Sequence, residues 1–574
     1  MSLNSREGEI QIMLPGTMCS ASAPSGLHDT PAMPAREPIE VLELYQPHDG
    51  TLWGLVNSRA AVLGDRPFLF FNDYQLSWAA FRDQVLHVAR QLVAQGVKPG
   101  DRIGVMANNS ADYVVVFFAT AYVGAIFIPI NPNLTVPETT YILEHAQPAL
   151  LFFQPSSSLV LHAACQALKV VPQVVCLADT QGSIGMASHD GGGVVDSDLT
   201  PVGLSAAHDT VLILYTSGTT GFPKGVMHSQ CSIVTAGEYF VERLHLQPED
   251  RLLCILPFFH INALIYSLFG AVVAGASLVI APRFSASEFW VLAAKSGATQ
   301  VNIIAAVGRI LMRRPRSEFV AEHHIRKLYG APISADIYSA FQSEFGIPVL
   351  IEGYGLTEVP GVCSNPFNGP HKVGSIGIPT RHPDPRRPYA EMRVVDESGG
   401  ELPHGSTGEL LVRSPIAMQG YYHDALASDA AFLDGWFRTG DLVRQDEDGY
   451  YTFIERQKDI IRRRGENISG AELDRIIGQH GEVQTVATIA VGSELGEDEI
   501  LLAVIIKPGS TLTECGLRKW CEQRLNPAKL PRYIVFVDSL PYTPSHRIAK
   551  FQLRRDLSLR QRATEFLDPP VVRI

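Results

Sequence analysis

Residues 211 to 226 read VLILYTSGTTGFPKGV, and this stretch decides the fold. The run VLILY is apolar without a break, which is typical of a strand buried on both faces of a sheet. Glycines and hydroxylated residues follow at once, and they can turn backbone N–H groups toward an anion, while Lys224 adds a mobile positive charge. The lysine follows proline and precedes no Ser or Thr, so this is not the GxxxxGK[ST] loop. The stretch predicts a strand followed by a phosphate-binding loop rather than a plain surface loop.

Helical and strand-like segments alternate around this loop. Ser77 can cap a helix whose apolar residues from Phe81 to Leu92 follow the 3.6-residue period, and RIGVM (102–106) then reads as a buried strand. The alternation continues to about residue 400 and predicts α/β architecture with parallel sheet content. The stretch from 408 to 422 has more turns and more β character.

A charged segment, ERQKDIIRRRGENISG (455–470), separates two patterned regions. Beyond it come a short helical pattern and a pair of strand-like runs, and this remainder is long enough to hold a small core of its own. The predicted organisation is a flexible tail over residues 1–38, an N-terminal domain over 39–458 and a mobile C-terminal domain over 459–574.

Composition excludes several classes of protein. The 574 residues carry a formal net charge of −12, which argues against a nucleic-acid binder. The eight cysteines show no CxxC spacing, so we expect free thiols in a reducing cytoplasm. The N-terminus has no clean apolar core of a signal peptide. Two apolar runs, Val114–Ile130 and Leu264–Pro282, contain Gly and Pro, and we expect each to be a buried helix leading into a strand, without stable membrane insertion.

Further motifs give the chain a family resemblance. YTSGTTGFPKGV resembles the phosphate loop of the adenylate-forming superfamily, which includes acyl-CoA ligases, peptide-synthetase adenylation domains and beetle luciferases. The other motifs follow in the family's order: LPFFH (256–260), YGAPIS (329–334), EGYGLTE (352–358), WFRTGD (436–441) and ERQKDIIRRRGENIS (455–469). The resemblance covers about residues 45 to 560 and is strongest to the acyl-CoA ligase branch. It implies α/β subdomains with a β-barrel-like subdomain, followed by a small α+β domain that rotates about a hinge.

The resemblance implies a two-step reaction. A carboxylic acid and ATP form an acyl-adenylate, and the acyl group then passes to the thiol of coenzyme A. The first step brings negative charges together, so cations and hydrogen-bond donors carry most of the catalysis. By resemblance, Thr357 reaches the α-phosphate and Glu358 holds Mg²⁺, a cation that prefers oxygen ligands. The residues that would cradle the β- and γ-phosphates are Thr216, Ser217, Gly218, Thr219, Thr220 and Lys224.

The same resemblance assigns the nucleoside and acyl sides. Tyr354 stacks on adenine, Asp441 accepts hydrogen bonds from the ribose hydroxyls, and Arg456 approaches the ribose or phosphate. His260 is a gate beside the acyl carboxylate, or else a satisfied core histidine. The remaining nucleotide-binding residues are Gly330, Ala331, Pro332, Gly353 and Gly355. The acyl pocket draws on His260, Ile261, Ala263, Asn302, Ile304, Ala306 and Gly308, whose small members would leave room for a bulky or cyclic acid.

The second step implies a different set of residues. Asp459 matches the hinge, and Gly465 matches the glycine beside the tunnel for the CoA arm. Arg463 and Arg464, with Arg462, meet CoA phosphates in one interpretation and form a solvated face in the other.

The stretch YTPSHRIAK (542–550) departs from the family. Relatives have Gly-Lys where this chain has His546 and Arg547, and that lysine bridges the carboxylate and the α-phosphate during adenylation. A planar guanidinium replaces a compact ammonium, while Lys550 points elsewhere. We therefore predict a ligase that forms the thioester well and the adenylate poorly or not at all, supplied with acyl-AMP by a separate adenylating enzyme. A complete two-step ligase with Arg547 tolerated, a non-catalytic AMP-binding protein and a light-emitting oxygenase are the alternatives.

Overall fold

The structure is a computed structural model that describes residues 36–177, 205–216, 223–331, 333–456, 460–463, 466–492, 498–525, 529–542 and 547–566. Residues Arg36–Ile574 form one compact unit. The expected tail lies outside the described residues up to residue 35. Its last part is folded, because the backbone N–H of Arg36 donates to Gln247 Oε1 at 3.0 Å and the first helix begins at Pro38.

Helices begin where the sequence supplies caps: Ser77 Oγ accepts from the Ala80 N–H at 3.2 Å, as the pattern predicts. The α-helices of the described residues are α1 Pro38–Glu43, α2 Leu52–Leu63, α3 Trp78–Ala94, α4 Ala111–Tyr122, α5 Val136–Ala146, α6 Ser158–Ala167, α7 Gln230–Leu244, α8 Phe269–Ala274, α9 Phe289–Ser296, α10 Ala305–Arg313, α11 Ala335–Ser343, α12 Ala425–Ala430, α13 Gly470–Ile477, α14 Glu514–Glu522, α15 Lys550–Arg555 and α16 Leu557–Arg562. A π-helix, Asn262–Leu268, precedes α8, and 3₁₀ turns lie at Pro155–Ser157 and Arg316–Glu318.

The strands of the described residues form five sheets. They are β1 Pro67–Phe71, β2 Tyr74–Ser77, β3 Arg102–Met106, β4 Ile126–Ile130, β5 Leu150–Phe153, β6 Gln173–Cys176, β7 Thr210–Thr216, β8 Lys224–Ser229, β9 Arg251–Cys254, β10 Ser277–Ile280, β11 Gln300–Ile303, β12 Lys327–Gly330, β13 Val349–Tyr354, β14 Cys363–Ser364, β15 Ile378–Pro379, β16 Glu391–Val395, β17 Thr407–Arg413, β18 Gly420–Tyr421, β19 Phe432–Leu433, β20 Trp436–Gln445, β21 Tyr451–Arg456, β22 Ile460–Arg463, β23 Glu466–Ser469, β24 Val483–Gly492, β25 Asp498–Ile506, β26 Tyr533–Phe536 and β27 Thr564–Glu565.

Two large sheets dominate the N-terminal part. One has nine strands in the order β15-β14-β13-β12-β11-β9-β10-β1-β2, and the other has seven in the order β18-β8-β7-β4-β3-β5-β6. Their central strands pair in parallel, as β3 with β4 and β12 with β13 do. This is the predicted α/β architecture. The two apolar runs are buried helix–strand segments, α4 with β4 and the π-helix and α8 with β10. In the described residues, no helix is both long and apolar enough to cross a membrane.

The rest of the chain is richer in antiparallel sheet. β16, β17, β19, β20 and β21 form a five-stranded sheet, and β24 to β27 form a four-stranded sheet. Two of the hydrophobic clusters contain only residues beyond 460, among them Ile461, Leu473 and Leu553. The cysteines of the described residues are free thiols, as predicted.

Asp250 ties together three strands of the nine-stranded sheet. Its buried carboxylate accepts from Lys327 Nζ at 2.8 Å and from Thr299 Oγ1 at 2.8 Å. Asp250, Thr299 and Lys327 lie at the beginnings of β9, β11 and β12. β11 carries predicted acyl-side residues, and β12 carries predicted adenine-side residues, at and just after their C-terminal ends. This ion pair therefore supports both sides of the predicted site.

Replacing Asp250 by Ala leaves the Lys327 ammonium buried without its carboxylate. We expect the free energy of unfolding, measured by urea titration, to fall by about 3–5 kcal/mol. The control is Glu391→Ala, which breaks the exposed pair with Arg413 and should cost about 1 kcal/mol or less. Equal losses in the two variants would contradict the role given to Asp250.

Candidate active site

The predicted phosphate loop connects β7 to β8. β7 and β8 pair antiparallel with Thr216 opposite Lys224, so the loop begins and ends at neighbouring points. Ser217, Gly218, Thr219 and Thr220 lie outside the described residues. Lys224 sits with its Nζ 4.6 Å from the centre of the Tyr421 ring. The structure thus places the predicted cation beside the loop.

Side chains of α5 hold the hairpin at both ends of this loop. Tyr141 donates its hydroxyl to the Pro223 carbonyl at 3.2 Å, and His145 Nδ1 lies 2.8 Å from the Tyr215 hydroxyl. Burial lowers the pKa of His145, and nearby His423 lowers it further. The neutral imidazole is therefore favoured, which suits a neutral hydrogen bond with Tyr215.

Thr357 and Glu358 lie in a loop after β13 that faces the hairpin. His228 of β8 donates its Nε2–H to the Thr357 carbonyl at 2.7 Å, and burial lowers the pKa of that histidine to about 4. The Met418 N–H donates to the Glu358 carbonyl at 2.7 Å. Glu358 Oε1 accepts from the Tyr421 hydroxyl at 3.0 Å. The structure thereby brings Glu358 to the hydroxyl and Lys224 to the ring of one tyrosine side chain.

The donor set fits Mg²⁺. Glu358 offers a half-buried carboxylate, and among the described residues no three His, Cys, Asp or Glu side chains gather as a metal cage. Mg²⁺ is usually held by one or two carboxylates together with substrate phosphates rather than by an all-protein cage.

Asp441 organises the predicted ribose side. Its carboxylate is buried: Oδ2 accepts from the Tyr354 hydroxyl at 2.6 Å, and Oδ1 forms an ion pair with Arg456, 3.2 Å from the arginine Nε. Burial raises the pKa of Tyr354 well above its ordinary value, and the Asp441 charge raises it further, so the phenol stays a donor. Three residues from the motifs EGYGLTE, WFRTGD and ERQKD therefore meet at one carboxylate.

Arg547 lies near the Asp441 carboxylate. More than a third of the residue is accessible to solvent, yet its guanidinium lies in densely packed surroundings, and burial lowers its pKa. The Arg456 charge lowers the pKa further, while Asp441 and Tyr354 oppose that shift. The residue that replaces the usual lysine thus lies within electrostatic reach of three of the predicted nucleotide-binding residues.

Comparison with known proteins agrees with this arrangement. The model of the AMP-binding enzyme family matches residues 56–422, and that of the AMP-binding enzyme C-terminal domain matches residues 472–547. This chain belongs to the AMP-binding enzyme family.

Individual relatives match this chain over nearly their whole length. An oxalate–CoA ligase from Arabidopsis thaliana is 31% identical, with 87% of this chain and 97% of the relative covered. A sulfoacetate–CoA ligase from Cupriavidus necator is also 31% identical, with 88% and 97% covered. Among solved structures, ATP-bound MatB from Rhodopseudomonas palustris gives a TM-score of 0.78 at 28% identity, with 87% and 98% covered.

The predicted adenine side of this AMP-binding enzyme is closely packed. An added Cβ at Gly355 would lie 2.4 Å from the Gly361 nitrogen, so only glycine fits there. Glu352 accepts from the Ile333 N–H at 3.1 Å and so ties β13 to the YGAPIS loop. Burial raises the pKa of Glu352 to about 7. Gly330 and Gly353 are buried and Ala331 is half-buried, while Pro332 lies outside the described residues.

The predicted acyl pocket is only partly open. His260, Ile261, Ile304 and Ala306 are half-buried, whereas Ala263, Asn302 and Gly308 are buried. Gly308 packs closely against α11, because a Cβ there would lie 3.1 Å from Ile337 Cγ2, and its place in the acyl pocket stays a prediction.

Asn302 has a different role from an open lining residue. Its Nδ2 donates to Asn262 Oδ1 at 2.9 Å, and Asn262 is half-buried next to Ile261. The hydrogen bond thus joins two amides beside the predicted acyl pocket, and the motif-based assignment did not include Asn262 because LPFFH ends before it.

The predicted CoA side needs one correction. Arg463 is buried, with Nε 2.6 Å from Glu499 Oε2 and NH1 donating to the Leu530 carbonyl at 2.9 Å. Its guanidinium is committed inside the C-terminal part, so it is not a contact for CoA phosphates. Lys550 pairs with Asp474 at 2.7 Å and, as predicted, points elsewhere. Asp459, Arg464, Gly465 and His546 lie outside the described residues.

Glu352 gives the protein a pH-dependent stability. Its folded pKa is about 7, raised above its ordinary value, so the folded state binds this proton more tightly than the unfolded chain does. The resulting stability is complete at low pH and is lost as the pH rises toward 7, by about 2–3 kcal/mol.

Glu352→Gln should remove this loss. We expect the variant to gain stability relative to the native chain as urea titrations move from pH 5 to pH 8. The exposed Glu344→Gln serves as the control and should show no such trend. A constant difference between Glu352→Gln and the native chain across this range would contradict the prediction.

Proposed function

We propose that this acyl-CoA ligase of the AMP-binding enzyme family performs its two half-reactions unequally. It forms the thioester from acyl-AMP and coenzyme A, and it forms acyl-AMP from the free acid and ATP slowly or not at all. The observation that carries this proposal is Arg547, which stands in the place of the usual lysine and lies close to Asp441, Tyr354 and Arg456.

Adenylation requires the substrate carboxylate to attack the α-phosphorus of ATP as pyrophosphate leaves. In the proposed arrangement Thr357 contacts the α-phosphate, and Lys224 contacts the β- and γ-phosphates with Thr216, Ser217, Gly218, Thr219 and Thr220. Glu358 would hold Mg²⁺, which neutralises phosphate charge when bound. Asp441 accepts from the ribose hydroxyls, and Arg456 keeps that carboxylate oriented at 3.2 Å.

The adenine would stack on Tyr354 between loops that Glu352 holds together. Gly330, Ala331, Pro332, Gly353 and Gly355 would line this side. An added Cβ at Gly330 or Gly353 would lie 2.6 Å from a neighbouring atom and one at Gly355 2.4 Å, so the base would meet a closely packed, preformed surface at these glycines.

Arg547 is poorly suited to bridge the attacking carboxylate and the α-phosphate. A lysine ammonium is a compact charge that reaches one point, whereas a guanidinium is a planar fork that favours a bidentate carboxylate. The buried Asp441 carboxylate lies within reach of Arg547 and attracts it. A donor held at Asp441 is displaced from the reacting oxygens, and losing one such donor costs about 3 kcal/mol, roughly a hundredfold in rate.

Thioester formation uses other residues. The CoA thiolate attacks the acyl carbon and AMP leaves, after rotation about the hinge at Asp459. Gly465 would leave the tunnel open, and Arg464 would meet CoA phosphates, since Arg463 is committed to Glu499. None of these steps requires Arg547. Acyl-AMP would then come from a separate adenylating enzyme.

The predicted acyl pocket defines the general surroundings of the acid. His260, Ile261, Ile304 and Ala306 would face it, and Asn262 offers an amide nearby. The relatives act on acids as different as oxalate, sulfoacetate and indoleacetate, so a panel of substrates should include polar acids as well as bulky cyclic ones.

The second candidate is a complete two-step ligase. It is favoured by the same position of Arg547, because the site does hold a cation close to Asp441. A non-catalytic AMP-binding protein is disfavoured by the exposed part of Glu358 and its contact with Tyr421 at 3.0 Å, which present a carboxylate to the phosphate hairpin.

Arg547→Lys should restore adenylation. We expect ATP–pyrophosphate exchange to rise at least tenfold, alone or with His546→Gly, while thioester formation from chemically made acyl-AMP and coenzyme A changes less than twofold. Arg562→Lys, an exposed arginine-to-lysine change in the same part of the chain, is the matched control. Exchange that is fast in the native chain and unchanged in Arg547→Lys would contradict the proposal and support the two-step ligase.

A further inference from the structure

The segment from residue 418 to residue 422 joins two parts of the site that are far apart in the sequence. Within it, β18 pairs antiparallel with β8, with Tyr421 opposite Val226. The Tyr422 N–H donates to the Gly225 carbonyl at 2.7 Å, and the Met418 N–H donates to the Glu358 carbonyl at 2.7 Å. The segment is therefore bonded through its backbone both to the phosphate hairpin and to the Glu358 loop.

The side chain of Tyr421 repeats this connection. Its hydroxyl donates to Glu358 Oε1 at 3.0 Å, and Lys224 Nζ lies 4.6 Å from its ring centre. A tyrosine suits both contacts, because its hydroxyl donates to a carboxylate while its ring attracts a cation.

The backbone also fixes where this ring stands. The Tyr421 N–H donates to Ser428 Oγ at 2.8 Å, and that hydroxyl in turn donates to the Asp424 carbonyl at 2.7 Å. The ring is thus held from α12 as well as from β8. Lys224 and Glu358 both contact Tyr421 from the positions they already occupy, so neither has to move toward the other.

We propose that Tyr421 is a positioning residue for the nucleotide and its metal ion: its hydroxyl orients Glu358 as the metal ligand, and its ring holds Lys224 ready for the phosphates. This inference rests on the roles proposed above for Lys224 and Glu358. It adds that the two are set in place by one side chain before the nucleotide arrives.

Two substitutions separate the two contacts. Tyr421→Phe removes the hydroxyl and keeps the ring, so the Mg²⁺ concentration needed for half-maximal ATP binding should rise roughly 10–100-fold, as for other residues that orient a metal ligand. Its ATP affinity in EDTA should not change. Tyr421→Leu removes both contacts, and its ATP affinity in EDTA should also fall by roughly 2–5-fold.

The experiment is isothermal titration of the full-length chain with ATP, first in EDTA and then over a range of Mg²⁺ concentrations. Tyr389→Phe, which changes an exposed tyrosine, is the control and should leave both titrations unchanged. Glu358→Gln and Lys224→Met are titrated alongside. Glu358→Gln should alter the Mg²⁺ dependence, and Lys224→Met should weaken ATP binding in EDTA.

The outcomes separate a failure of the role proposed for Tyr421 from a failure of the roles proposed for Glu358 and Lys224. If Glu358→Gln and Lys224→Met act as stated while Tyr421→Phe leaves the Mg²⁺ dependence unchanged, the positioning role of Tyr421 is wrong and the proposed site stands. If Glu358→Gln itself leaves the Mg²⁺ dependence unchanged, the proposed metal site is wrong and the inference falls with it. In the double variant Tyr421→Phe with Glu358→Gln, we expect no further rise beyond that of Glu358→Gln alone.

Discussion

The buried carboxylate of Asp441 is the point on which the arrangement of the site depends. A buried carboxylate must be paired or hydrogen-bonded, because an isolated charge in the protein interior is very costly. Here Tyr354 of β13 donates a hydrogen bond to it, and Arg456 of β21 forms an ion pair with it. Arg547, in the C-terminal part of the chain, lies within electrostatic reach of it. One charge therefore holds together the nine-stranded sheet, the five-stranded sheet and the segment that departs from the family.

The same carboxylate explains why an arginine at position 547 matters. A cation close to Asp441 would compete for the acceptor that the ribose hydroxyls need in the proposed arrangement, and the planar guanidinium has more ways to stay there than an ammonium has. Arg456 limits how closely it can approach, since the two guanidinium groups repel each other. Lys224 and Glu358 both contact Tyr421, so the proposed phosphate side is held by contacts that do not involve Arg547.

The sequence predicts the architecture well because local signals agree with it. Ser77 caps α3, and the apolar runs become buried helix–strand units. Its motifs assign Asp441, Tyr354 and Arg456 to one site, and the structure brings these three side chains together. It does not include Tyr421 or Asn262, whose contacts arise from pairing between residues that are distant in the chain. It misassigns Arg463, because three consecutive arginines give no sign that one faces Glu499 inside the domain. The assignment of Gly308 stays a prediction, since small residues serve packing and pockets alike and this glycine packs against Ile337.

The most direct measurement compares the two half-reactions of the native chain for one acid. ATP–pyrophosphate exchange reports adenylation, and thioester formation from the matching acyl-AMP and coenzyme A reports the second step. The panel includes small polar acids and bulky cyclic ones. For the acid whose acyl-AMP reacts fastest, the account predicts exchange roughly a hundredfold slower than thioester formation, or none. Exchange as fast as thioester formation would contradict it and make Arg547 a tolerated substitution in a complete ligase.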